Sequence, residues 1–178
     1  MLPDLLPSSA LIDLPLEFQR GIQRHRQIDA YTDRHPIFRR SVARFQPPLR
    51  RFGGIVTDII YDHFLTRHWS TFSPVSLPDF LAEIHEVFEH HTESLPGNAW
   101  HHFQRMRTTS LLSSYGDLAG LHLALRRLSR RLRRPVDLTP SVAVLERDYE
   151  SFEADFHDFF PQLINHVTPT EGSSSKAV

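Results

Sequence analysis

The chain has 178 residues, with 20 Lys and Arg against 21 Asp and Glu, 12 His, 13 Phe and no Cys. That length suits one domain able to bury roughly 70% of its extended surface, and the lack of Cys excludes disulfides, zinc-thiolate sites and thiol nucleophiles. A net charge of −1 argues against bulk nucleic-acid binding, while the absence of a signal-peptide pattern and of any run near ~20 apolar residues points to a soluble cytoplasmic protein.

In chain order, Pro3, Pro7 and Pro15 keep residues 1–16 from forming one helix, and a packed loop is expected there. Glu17 to Arg34 reads as the first helix, closed near Pro36, and Phe38 to Phe45 as a short second one stopped by Pro47-Pro48. Gly53-Gly54 is a turn signal ahead of a strong helix from Ile55 to Trp69. Ser73-Pro74 and Leu77-Pro78 punctuate the next connection, after which Phe80, Leu81, Ile84, Val87, Phe88 and His91 keep the spacing of an amphipathic helix. Another follows from a cap at Asn98 through Trp100, Phe103, Met106 and Leu111, then a turn at Ser113 to Gly116. Leu118, Leu121, Leu125, Leu128 and Leu132 stripe a helix that Pro135 must close, and Val142, Leu145, Tyr149, Phe152, Phe156, Phe159 and Leu163 give the longest stripe, bent at Pro161. No strand pattern persists, so the expected fold is an all-α single-domain bundle over residues 1–167, with a disordered polar tail over 168–178.

Two of these helices carry chemistry. His25, Asp29 and Asp33 fall at i, i+4 and i+8 and share one face, as do Asp58 and Asp62, with His63 one step round. Acids and imidazoles on apolar-flanked faces are costly to bury unpaired, so two such helices in one small domain suggest faces that meet around a cation. Oxygen and imidazole donors without thiolate suit Mn²⁺ first, with Mg²⁺ or Fe²⁺ possible and Zn²⁺ still open. The expected ligands are His25, Asp29, Asp62 and His63, with Asp33 and Asp58 as further ligands or carboxylates orienting the imidazoles. For Asp29 a surface ion pair with Arg26, contributing about 0–1 kcal/mol, is the alternative.

Arg126 to Arg134 holds six arginines in nine residues. They form either a solvated helix face or a docking row for an anionic partner, with Arg126, Arg130 and Arg133 facing it. His90-His91 and His101-His102 are read as solvated pairs, because neighbours on a helix point about 100° apart. No Gly-x-Ser-x-Gly elbow or phosphate-binding glycine loop is present.

Gly21 to Asp33, the block Asp58-x-x-x-Asp62-His63-Phe64-Leu65-x-Arg67-His68-Trp69-Ser70, and the end from Tyr149 to Pro161 together resemble the acyl carrier protein phosphodiesterases, over nearly the whole chain. That family is distantly similar to the all-helical HD-type metal-dependent phosphohydrolases. The resemblance implies a cytoplasmic enzyme that removes 4′-phosphopantetheine from holo-acyl carrier protein, an acidic partner suited to the arginine row. It also aligns Asp4 with a carboxylate implicated in activity. Relatives carry an Ala-His-Leu-His-like segment ahead of that Asp, so the N-terminal segment reads as shortened here and a weaker metal shell is expected. The rival readings are a phosphohydrolase of a guanosine polyphosphate-type nucleotide and a non-catalytic helical module binding acidic protein or RNA.

Overall fold

The computed structural model describes residues 16–90, 115–132 and 136–168. Within them the regular elements are all helical: α1 (Leu16–Arg34), α2 (Pro36–Ala43), a 3-10 turn (Leu49–Phe52), α3 (Gly53–Arg67), α4 (Trp69–Phe72), α5 (Leu77–His90), α6 (Leu118–Ser129), α7 (Ser141–Arg147) and α8 (Tyr149–Val167). The all-α expectation is met. No helix among the described residues is long and apolar enough to cross a membrane. The expected N-terminal loop over 1–15, the helix through Trp100 to Leu111 and the tail beyond Thr168 lie outside the described residues.

α3 is the central helix because apolar residues surround it on all but one strip. Val56, Ile60 and Phe64 have no exposed surface, and Thr57, Tyr61 and His63 are buried beside them. The strip left over carries Asp58 and Asp62. Against α3 lies α8, whose Phe152, Phe156, Phe159 and Leu163 at i, i+4, i+7 and i+11 are all buried. Each such burial stabilises the fold by about 1.5–3 kcal/mol. α8 also packs on α1 and α2, and α6 joins α3 to α7 through the buried Leu121 and Leu125.

Boundaries differ from expectation for local reasons. Pro36, expected to close α1, also opens α2, since a proline in the first turn gives up no donor that the helix needs. His35 caps that helix, its Nδ1 accepting the Ile37 N–H at 3.3 Å. α6 stops at Ser129, well before Pro135. The Ser129 hydroxyl donates to the Leu125 carbonyl at 2.7 Å and accepts the Leu138 N–H at 2.9 Å, tying the helix end to the next segment. The Val142 to Leu163 stripe is split at Asp148, where φ −112° and ψ 25° leave the helical region. Pro161 lies inside α8 without ending it.

Gly53-Gly54, expected as a turn, instead forms the first turn of α3. A Cβ on Gly53 would meet Val42 Cγ1 at 2.9 Å and Phe45 Cδ2 at 3.3 Å, so the glycine lets α2 and α3 approach. Gly53→Ala should therefore destabilise the protein by about 1–3 kcal/mol through overpacking. Gly54→Ala, with nothing within 4 Å of its Cβ, should be neutral or stabilising. Urea unfolding of the two variants compares them directly, and equal effects would contradict the close-approach account.

A buried polar network locks α2 to α8. The Asp155 carboxylate accepts from Arg40 Nε at 2.8 Å, from the Ser41 hydroxyl at 2.7 Å and from the Arg44 guanidinium. Ser41 and the Tyr61 hydroxyl share a further bond of 3.0 Å, which extends the network to α3. Burial alone would push the Asp155 pKa up, but hydrogen bonds from Arg40, Arg44 and Ser41 hold it below the usual carboxylate value.

Candidate active site

The face of α3 that the core leaves over points toward α1. Burial, then the negative charges of Asp33 and Asp29, push the Asp58 pKa up to about 7. Burial and the charge of Asp58 push Asp62 up to about 7 as well. Asp62 is half-buried while Asp58 keeps an exposed edge, so solvent moderates the rise at Asp58 more than at Asp62. Asp58 thus feels the charges of Asp33 and Asp29 on α1, and Asp62 feels that of Asp58. His25 lies beside them, its Nδ1 3.4 Å from an Asp29 carboxylate oxygen. Asp29 and Asp33 are themselves solvent-exposed.

Two carboxyls raised to about 7, by burial first and by neighbouring carboxylates second, are costly to keep ionised at neutral pH. Relief comes from a shared proton or from a cation. Among the described residues no three of these carboxylates and His25 bring ligand atoms within 4.8 Å of one another, so any cation would have to draw the face together.

His63, expected among the ligands, is placed otherwise. It is 1% exposed, its Nδ1 lies 2.5 Å from the Tyr115 carbonyl oxygen, and its Nε2 lies 3.0 Å from the Tyr149 hydroxyl. A carbonyl can only accept, so Nδ1 carries the proton and Nε2 accepts from Tyr149. Burial pulls the His63 pKa down and favours this neutral form. With both nitrogens engaged, the ring offers no lone pair to a cation. Instead it ties α3 to α8 and to the start of α6.

The arginine row is only partly described. Arg126 and Arg130 are exposed, while Arg133 and, at the other end of the chain, Asp4 lie outside the described residues. Tyr115, which no sequence motif marks, feels charges of both signs. Its pKa is raised by burial and by Asp62, and lowered by Arg127 and Arg131. A further donor group missed in the sequence, His68, Glu153 and His157, brings three potential ligand atoms within 4.8 Å of one another.

A model of the acyl carrier protein phosphodiesterase family matches residues 1–163. The chain is similar to the acyl carrier protein phosphodiesterase of Serratia proteamaculans, with 32% identity over 152 residues, 83% of this chain and 77% of that protein. The protein of that name from Photorhabdus laumondii is 33% identical over 149 residues, 81% of this chain and 73% of its own. The one from Yersinia pestis is 27% identical over 168 residues, 94% and 87% respectively. No solved structure matches at a significant level. With the family match running over residues 1–163 and relatives above 30% identity, the chain belongs to the acyl carrier protein phosphodiesterase family.

Proposed function

We propose that the chain hydrolyses the phosphodiester that joins 4′-phosphopantetheine to the serine of holo-acyl carrier protein, giving the apo protein. The observation that carries this reading is the set of four carboxylates, Asp29, Asp33, Asp58 and Asp62, on facing parts of α1 and α3, two of them with pKa values pushed up to about 7. Asp29 and Asp62, with His25 beside Asp29, would hold a divalent cation, Mn²⁺ first. Such an ion supplies Lewis-acid polarisation of the phosphoryl oxygen and makes water acidic enough to attack near neutral pH. Asp33 and Asp58 manage protons. Asp58, its pKa pushed up to about 7, takes a proton from the attacking water and returns one to the seryl oxygen that leaves phosphorus. His63, with its two internal hydrogen bonds, fixes α3 rather than joining the ligands. Incubation with holo-carrier and manganese should lower the carrier's mass by that of the prosthetic group, and an unchanged mass would reject the reading.

The arginine row would steer and orient the carrier, which in this family is an acidic helical protein. Replacing Arg126, Arg130 and Arg133 with Glu should raise KM for the carrier about tenfold or more and flatten its salt dependence. Hydrolysis of a small phosphodiester should change little. Equal loss on both substrates would show that the row supports the fold instead.

A further inference from the structure

Where α3 ends, three donors of a different kind converge. His68 caps the helix, its backbone N–H bonded to the Phe64 carbonyl at 2.9 Å. Its Nε2 lies 2.6 Å from a Glu153 carboxylate oxygen. Glu153 and His157 are i, i+4 neighbours on α8 and so present their side chains to the same place. The His157 ring stands 4.5 Å from the His68 ring, centroid to centroid. One ligand atom from each of the three residues falls within 4.8 Å of the others.

We propose that His68, Glu153 and His157 form a second metal site, a three-ligand seat for a borderline divalent transition ion, Zn²⁺ first. Two imidazoles and one carboxylate are a donor set that zinc takes, and the absence of thiolate leaves the coordination open to a fourth ligand. Donors held about 2 Å from a tetrahedral ion lie roughly 3.3 Å apart, so the observed spread closes with small rotations of the side chains. The ring of His157 is held for this. Phe72 stacks on it at 6.2 Å and Phe156 meets it edge-on at 5.6 Å. These two rings restrict its rotamers, which favours ligation. The fourth position faces solvent, since His68 and Glu153 each keep 28% of their side-chain surface exposed.

A plain His68–Glu153 ion pair accounts for one short contact but gives His157 no role. A shared cation uses both rings and the carboxylate. The site is also separate from the acidic face. Asp62 lies within α3, six residues before the cap residue His68, which places the two about 120° apart round the helix and roughly 9 Å apart along it. Occupancy would pin the end of α3, the helix that carries Asp58 and Asp62, to the middle of α8.

The test uses the full chain stripped with chelator and titrated with Zn²⁺ in a calorimeter, with Co²⁺ absorption as a readout of coordination. Wild type should bind about one Zn²⁺ per chain and melt at a higher temperature when loaded. Cobalt should give the intense visible bands of a low-coordinate nitrogen and oxygen site. His157→Ala and Glu153→Gln should each weaken zinc affinity at least tenfold and abolish the melting shift. Asp62→Asn should leave zinc binding intact, and Mn²⁺ binding followed by EPR should survive in His157→Ala. Equal zinc affinity in wild type, His157→Ala and Glu153→Gln would overturn the site. Loss of zinc binding in Asp62→Asn but not in His157→Ala would overturn it equally and assign the ion to the acidic face.

Discussion

Asp62→Asn should lower kcat/KM on holo-acyl carrier protein by about three orders of magnitude, roughly 4 kcal/mol of transition-state stabilisation. The amide keeps the shape of the side chain but removes a charge that the proposed cation needs. Stability should move the other way. Asp62 is half-buried and repelled by Asp58, so the neutral variant should melt at or above the wild-type temperature. A residue whose loss destroys activity while sparing or raising stability is a functional one, and this pairing of signs separates it from a core residue. Wild-type activity in Asp62→Asn would remove the carboxylate face from the mechanism. A fall in melting temperature matching the fall in activity would mark Asp62 as structural.

Asp155→Ala should do the reverse, destabilising the fold with activity lost only as the protein unfolds. The carboxylate is 2% exposed and accepts from Arg40, Ser41 and Arg44, so its removal leaves the mostly buried Arg44 and Ser41 without their acceptor. Breaking such a pair from one side costs about 3–5 kcal/mol. Arg40 keeps 57% of its side chain in solvent, which favours the lower end and a fall in Tm of roughly 6–12 °C. The pH dependence has a definite sign. The folded pKa of Asp155 is depressed below the unfolded value, so its stabilisation is full above about pH 4 and is lost as the pH falls through the folded pKa. Wild type and variant should therefore converge in stability in acid, and a gap that stays constant from neutral pH into acid would contradict the charge-assisted account.

The legible parts of this protein are those in which function and helical period coincide. Asp58 and Asp62 can be placed on one face from their i, i+4 spacing, and the apolar residues around them mark α3 as buried, because an α-helix repeats regularly enough to count. Period says nothing of what stands opposite. His63 sits one residue beyond Asp62 and invites the same role, yet the hundred-degree step turns it into the seam with α8, where Tyr149 and the Tyr115 carbonyl occupy it. His68 and Glu153 are 85 residues apart and meet only through the docking of α3 on α8, so neither spacing nor composition reveals their contact. The choice of Arg126, Arg130 and Arg133 rests on the same limit. The row is visible, but helical spacing does not show that Tyr115 feels the charges of Arg127 and Arg131 as well as that of Asp62. Gly53-Gly54 reads as a turn by residue type, and the close approach of Val42 and Phe45 turns it into the start of a helix.

Hydrolysis at phosphorus is tested most directly by incubating the protein and manganese with holo-acyl carrier protein in water enriched in oxygen-18, then weighing both products. The account predicts that the carrier falls to its apo mass with an unlabelled serine, and that the released 4′-phosphopantetheine carries one heavy oxygen in its phosphate. In Asp62→Asn the same label should appear about a thousandfold more slowly. A heavy oxygen in the serine, a carrier left as dehydroalanine, or a holo mass that never changes would contradict it.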